Sequence, residues 1–150
     1  MRASSAAVEL IKEFELLHMS PHLDSSGVPT IGFGHTAGVA LSTPPVTEPE
    51  AVQMLLEDMA RYEQAVHEAV RVPLVQHEFD ALVSFTFSVG VGALRTSMLL
   101  RSLNAGDRAA AACEFQKWNR ASKGGQMVVT SFLVARRAAE RRMFEGRSGT

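Results

Sequence analysis

A chain of 150 residues is the length of one ordinary domain, and 46% hydrophobic with 21% charged residues describes a soluble fold with its own core, which excludes a disordered or fibrous chain. One cysteine excludes an internal disulfide, and no apolar run reaches the length of a membrane span. The formal charge of -1 excludes a uniformly basic polyanion binder, although residues 1–116 carry seven Lys or Arg against fourteen Asp or Glu and residues 117–150 carry eight against two.

Taken in order, Leu10, Ile11, Phe14 and Leu17 recur at helical spacing, so a first helix is expected from Ser5 to about Met19, capped by Ser4 or Ser5 and stopped by Pro21. Asp24-Ser25-Ser26-Gly27 reads as a turn that folds a short strand near His22 and Leu23 back against Val28 to Phe33. Residues 37–46 read as a loop that can include a further short strand. Thr47 and Glu50 form a capping-box pattern ahead of one long amphipathic helix from Glu48 to about Arg71, with Val52, Leu55, Leu56, Met59, Tyr62 and Val66 on its apolar face. Such a helix, in so short a chain, is expected to bridge two lobes.

Everything beyond it reads as helix. The pattern predicts helices over Gln76–Val89, Thr96–Asn104, from Asp107 to about Ala121, and Val129–Glu145, with a loop at residues 122–126. Phe132, Leu133 and Phe144 are expected inward on the last helix and its arginines outward, making a basic pole able to attract an anionic polymer, an acidic lipid surface or nucleic acid. Cys113 is expected as a small buried hydrophobe. The expected fold class is therefore α+β and mostly α: an N-terminal lobe of about residues 12–46 with a β-hairpin, the bridging helix over about 48–71, and a helical lobe over about 72–150 packed with the first helix.

The stretch from Glu15 to His35 carries the chemistry. Glu15 falls near the C-terminal end of a helix, where the dipole and partial burial disfavour its charge, as a general acid requires. Asp24 falls nine positions later in a polar turn, where it would stay ionised, and Thr30 six further on could hold a water beside it. Two carboxylates in contrasting environments are the equipment of glycoside hydrolysis. Two solvated surface charges are the competing reading. His18 and His22, four apart, would suit a metal only on an unbroken helix, which Pro21 prevents, so no metal is expected.

The same stretch resembles the catalytic segment of the phage-type lysozymes, the endolysins of glycoside hydrolase family 24, whose pattern is a Glu after an apolar helix, then an Asp, a Thr and a T-I-G-x-G-H run. Here these are Glu15, Asp24, Thr30 and Thr30-Ile31-Gly32-Phe33-Gly34-His35. The resemblance continues through residues 73–107, through Phe115-Gln116-Lys117-Trp118-Asn119 and through Arg136-Arg137-Ala138-Ala139-Glu140-Arg141, and so covers nearly the whole chain. It departs from the pattern at Leu16, where Gly is usual, at His22, where an aromatic residue stands, at Pro29, at Ser88, where Asn is common, and at residues 130–133. Reduced rather than abolished activity is expected from these departures.

The resemblance implies a lysozyme-like two-lobed fold with the active site in the cleft between the lobes. It implies cleavage of the β-1,4 bond between N-acetylmuramic acid and N-acetylglucosamine in peptidoglycan, with Glu15 as general acid and Asp24, helped by Thr30, activating water. It further implies substrate contacts at Gly34, Thr36, Phe87, Ser88 and Ser97 and no cofactor or metal, while His35 is expected as structural support, paired with a carboxylate of the bridging helix, Asp58. The partner is then bacterial peptidoglycan, with no nucleic acid and no stable membrane insertion. The protein is expected to be a monomer, made in the host cytoplasm without a signal peptide and needing a holin-like pore to reach the wall from inside. Two alternatives belong to other classes: a non-catalytic peptidoglycan-binding protein on the same fold, and a nucleic-acid-binding helical protein using Arg136, Arg137, Arg141 and Arg142.

Overall fold

The computed structural model describes residues 1–147, and its chain is mostly helical with two small antiparallel hairpins. In order these are α1 (Ser5–Glu15), β1 (His18–Leu23), β2 (Pro29–Gly32), α2 (Glu48–Ala69), α3 (Gln76–Val89), α4 (Val91–Thr96), α5 (Met98–Asn104), α6 (Arg108–Glu114), a 3₁₀ turn (Phe115–Lys117), β3 (Arg120–Lys123), β4 (Gln126–Val129) and α7 (Ser131–Phe144). They form two compact units, one of Val8–Arg61 and one of Met1–Ala7 with residues 62–147. Among the described residues no helix is long and apolar enough to cross a membrane.

In the Val8–Arg61 unit, Leu10 and Ile11 of α1 are buried, as are Ile31 and Phe33 around the end of β2 and Ala51, Leu55 and Met59 of α2. The spacing of the α2 residues, 51, 55 and 59, is that of one helix stripe. Thr47 caps α2 as the sequence predicts: Glu50 N–H donates to Thr47 Oγ1 at 3.3 Å and Thr47 N–H donates to Glu50 Oε1 at 3.0 Å. These hydrogen bonds from Thr47 hold the Glu50 carboxyl below its ordinary pKa of 4.5. Helix α2 then runs for 22 residues, about 33 Å at the usual rise.

In the helical unit α7 packs along α3, and Phe79, Leu82, Val83, Phe85, Leu94, Leu99, Leu103, Phe115 and Phe144 are buried. Phe85 meets Phe115 and Trp118 edge-on at centroid distances of 5.4 and 5.7 Å. Inside this apolar core lies an ionic one. Glu140 is fully buried, accepting from Arg136 Nε at 3.2 Å, from Ser84 Oγ at 2.6 Å and from Arg137 Nη1, while Arg137 Nε also donates to the Trp118 carbonyl at 2.8 Å. Arg136 and Arg137 are 2% and 1% exposed.

Several expectations are corrected here. Two of the arginines expected outward on the last helix are buried, because Arg136, Arg137 and Glu140 lie three and four residues apart and neutralise one another on the inner face. Phe132, expected inward, is 49% exposed, one turn before the buried face of α7 begins. The helix expected to run to Ala121 ends at Glu114, and the chain passes through the 3₁₀ turn into β3 and β4. Gly124 and Gly125, with φ of +60° and +83°, make the two-residue turn between these strands. The helix expected over Thr96–Asn104 is α5, starting at Met98 after the Ser97 cap, and a further short helix not expected from the sequence, α4, precedes it with Gly92 inside. The loop at residues 37–46 contains no strand. Cys113 is exposed rather than buried, with Arg141 Nη2 3.7 Å from its sulfur.

Candidate active site

The β1–β2 hairpin is built around Asp24. Its Oδ1 accepts from the Ser26 and Val28 amides at 2.8 and 2.9 Å, an Asx-type turn, while Asp24 N–H donates to the Val28 carbonyl at 3.0 Å. A turn-capping aspartate needs no more than that, yet Oδ2 has no protein partner among the described residues and the side chain is half-buried. Thr30 pairs across the ladder with His22 and is 5% exposed, its hydroxyl donating to the Val28 carbonyl at 2.9 Å. The single hydroxyl proton is thereby used, leaving Thr30 Oγ1 as an acceptor. Pro29 begins β2 opposite Leu23, where its missing N–H costs the ladder least.

Glu15 is the last residue of α1, half-buried. The helix stops there and not at Met19 because Leu16 takes a left-handed conformation, φ +53°, the only described non-glycine residue to do so. That is the conformation a C-terminal glycine usually supplies, so a branched residue stands here in a strained backbone, with its side chain 59% exposed. After β2 the chain turns back through Gly32, Phe33 and Gly34, with Ile31 and His35 exchanging two backbone hydrogen bonds of 2.9 Å. Gly34 has φ +78°, and a Cβ placed on it would lie 3.1 Å from Glu15 Oε2. The space that this glycine leaves open is therefore occupied by the Glu15 carboxylate. His35 Nδ1 lies 2.8 Å from Asp58 Oδ2, which ties the residue after Gly34 to α2. Phe33 is buried with the Lys12 ammonium 5.8 Å from its ring centroid.

The candidate residues are not gathered into one unit. Glu15, Asp24, Thr30, Gly34, His35, Thr36 and Asp58 belong to the Val8–Arg61 unit, whereas Phe87, Ser88 and Ser97 belong to the helical one. Thr36 is exposed. Phe87 is half-buried with its ring 5.0 Å from that of Tyr62, and Ser88 Oγ accepts from Arg137 Nη2. Ser97 is 5% exposed and caps α5, its hydroxyl donating to the Leu94 carbonyl at 2.8 Å and accepting from Leu100 N–H at 3.1 Å. Sequence reasoning missed the hold of Arg137 on Ser88 and the support that Gly34 gives Glu15. For Gly34 the signal was present in the glycines either side of Phe33.

His18 and His22 lie on a bulged strand and not on a helix, their rings stacked at 3.9 Å. Among the described residues no group of three or more His, Cys, Asp or Glu could hold a metal ion.

A mostly helical chain in which a small antiparallel hairpin follows a helix-terminal glutamate has the fold of a lysozyme. The sequence profile of the phage lysozyme family matches residues 12–140. The endolysin of Acyrthosiphon pisum secondary endosymbiont phage 1 is 35% identical over 97% of this chain and 99% of its own. Among solved structures, the muramidase domain of SpmX from Asticaccaulis excentricus superposes with a TM-score of 0.90 at 38% identity, covering 95% of this chain and 97% of that one. The endolysin of Escherichia coli O157:H7 phage FAHEc1 gives 0.89 at 35% identity, with 96% and 93% covered. The chain belongs to the phage lysozyme family. It is accordingly a lysozyme-type glycoside hydrolase, a peptidoglycan hydrolase.

Proposed function

We propose that the protein cleaves the β-1,4 bond between N-acetylmuramic acid and N-acetylglucosamine, with Glu15 protonating the leaving oxygen and Asp24 and Thr30 orienting the attacking water. The observation that carries this reading is the contrast between the two carboxylates. Glu15 is seated against the Gly34 backbone at a helix end, and Asp24 keeps one oxygen open beyond a turn that uses the other. A water donating one hydrogen to Asp24 Oδ2 and one to Thr30 Oγ1 would present its lone pair to the anomeric carbon, which is what a general base and an acceptor hydroxyl can arrange together. His35 and Asp58 hold the turn on which Gly34, and through it Glu15, depends. Gly34 and Thr36 supply sugar contacts beside Glu15 in this reading, and the Ser97 hydroxyl serves the helix cap first.

The substrate is bacterial peptidoglycan, attacked by a monomer made in the cytoplasm and released to the wall through a holin-like pore. The bond and the outcome are tested together by digesting purified peptidoglycan, reducing the new ends with borohydride and identifying the reduced sugar. Reduced muramic acid is the expected product. Reduced glucosamine would assign the other glycosidic bond, and a new amino terminus without a reducing end would make the protein a peptidase or amidase.

A further inference from the structure

The helical unit carries a groove of about 690 Å³, within the size range of small-ligand sites. Three arginines line it: Arg71 just past α2, Arg95 in the last turn of α4 and Arg101 in the last turn of α5. The first 116 residues hold only seven basic residues against fourteen acidic ones, so nearly half of the cations in the acidic part of the chain meet in one place. Glu68 is the single acid lining the groove, its Oε2 3.6 Å from Arg95 Nη2 in a pair more than half exposed, which holds little of that charge. Arg71 and Arg101 have no carboxylate within ion-pair distance among the described residues.

The floor is fixed. Asn104 accepts from the Arg71 amide at 2.7 Å and donates to the Ala69 carbonyl at 3.0 Å, joining the end of α2 to the end of α5, from which Arg71 and Arg101 reach the same groove. Like charges brought together without a counter-charge cost free energy, and a bound oxyanion removes that cost. Guanidinium forks suit it, since each can give two parallel hydrogen bonds to a carboxylate or a phosphate.

We infer that this groove binds oxyanion groups of the cell-wall polymer, carboxylate or phosphate, apart from the glycan bond that is cut. Only the source of the oxyanion rests on the lysozyme reading; the groove's chemistry stands without it. The two sources are the carboxylates of the peptide stems and the phosphates of anionic wall polymers. The test uses the full chain and its Arg71→Gln/Arg101→Gln variant, two exposed positions where a neutral amide keeps the fold, as a melting curve verifies. Inorganic phosphate and acetate are first titrated against the arginine Nε–H resonances. KM is then measured on whole wall, on wall freed of phosphate polymers and on glycan chains freed of peptide stems.

Shifts at Arg71, Arg95 and Arg101 are expected in the titration. The variant's KM is expected to rise by about tenfold or more on the anion-bearing substrate relative to the anion-free one, the worth of a lost charge-assisted hydrogen bond. A penalty that follows the stems makes carboxylate the ligand, and one that follows the phosphate polymer makes phosphate the ligand. Equal KM ratios for parent and variant on all three substrates overturn the wall assignment even if free phosphate binds. If the parent cuts none of them, the lysozyme reading fails. The titration then decides the groove alone, shifts upholding an oxyanion site and their absence overturning it.

Discussion

Asp24 and Glu140 are both carboxylates with several hydrogen bonds, and the two units of the chain use them in opposite ways. Asp24 spends one oxygen on two backbone amides of a turn and keeps the other open, half-buried. Glu140 spends both on guanidiniums and a serine inside the core, with no exposure at all. The first arrangement leaves a charge available for chemistry, and the second uses charge to hold α7 against α3. The same difference appears in the backbone: the Val8–Arg61 unit carries the strained Leu16 and the glycine turn at Gly32 and Gly34, while the helical unit caps its elements conventionally at Ser97, Asp107 and Thr130.

The comparison breaks most visibly at Glu140. Its replacement by Ala removes the carboxylate that the buried Arg136 and Arg137 share, and a loss of about 3–5 kcal/mol is expected in urea unfolding. Replacement of Asp24 by Asn should cost far less stability, since the amide oxygen still accepts from Ser26 and Val28, but should cost most of the activity. A similar stability loss in both variants would erase the distinction drawn here.

Next in size is Gly34→Ala. A Cβ there meets Glu15 Oε2 at 3.1 Å and sits on a backbone at φ +78°, so about 1–2 kcal/mol of strain and displacement of the carboxylate are expected together. The fall in kcat should exceed what the stability change explains. An alanine variant with unchanged kcat would show that Glu15 does not depend on that backbone.

These two sites show what the sequence discloses and what it does not. The hairpin, α2 and α3 were legible, because Asp24 to Gly27, Thr47 with Glu50, and the run from Gln76 to Gly90 each combine a periodic apolar pattern with a local stop or start signal. The buried Arg136–Glu140–Arg137 cluster was not, since three charged residues at helical spacing look the same on a solvated face as on a neutralised inner one. The β3–β4 hairpin was signalled by Gly124-Gly125 between two short alternating stretches, but the apolar residues on either side also fit helices. At the candidate site the residue types and their order could be read, whereas the contact of Gly34 with Glu15 depends on the chain doubling back after β2, which no local spacing encodes.

Leu16→Gly sharpens the backbone half of the comparison. Removing the side chain relieves a left-handed conformation at φ +53° and loses little packing from a residue 59% exposed, so a gain of about 1 kcal/mol is expected, read as a rise of a few degrees in Tm. An unchanged or lower Tm would place the strain elsewhere.

The smallest effect belongs to Glu50. Its folded pKa is depressed below 4.5, so the stability it contributes is present above that pH and is lost as the pH falls through the folded value. The stability gap between the parent and Glu50→Gln should therefore be constant at neutral pH and close on acidification below about 4.5. A gap that persists at the acid end would assign the effect to the helix cap geometry and not to the charge.

The most direct test of the central reading is the rate of reducing-end release from purified peptidoglycan by the parent and by Glu15→Gln, measured beside their melting temperatures. An equally stable variant with a rate lower by at least about a hundredfold, the smaller end of what a general acid contributes, is the predicted result. A variant that keeps the parent's rate, or a parent that sediments with the wall and releases no ends, would contradict it.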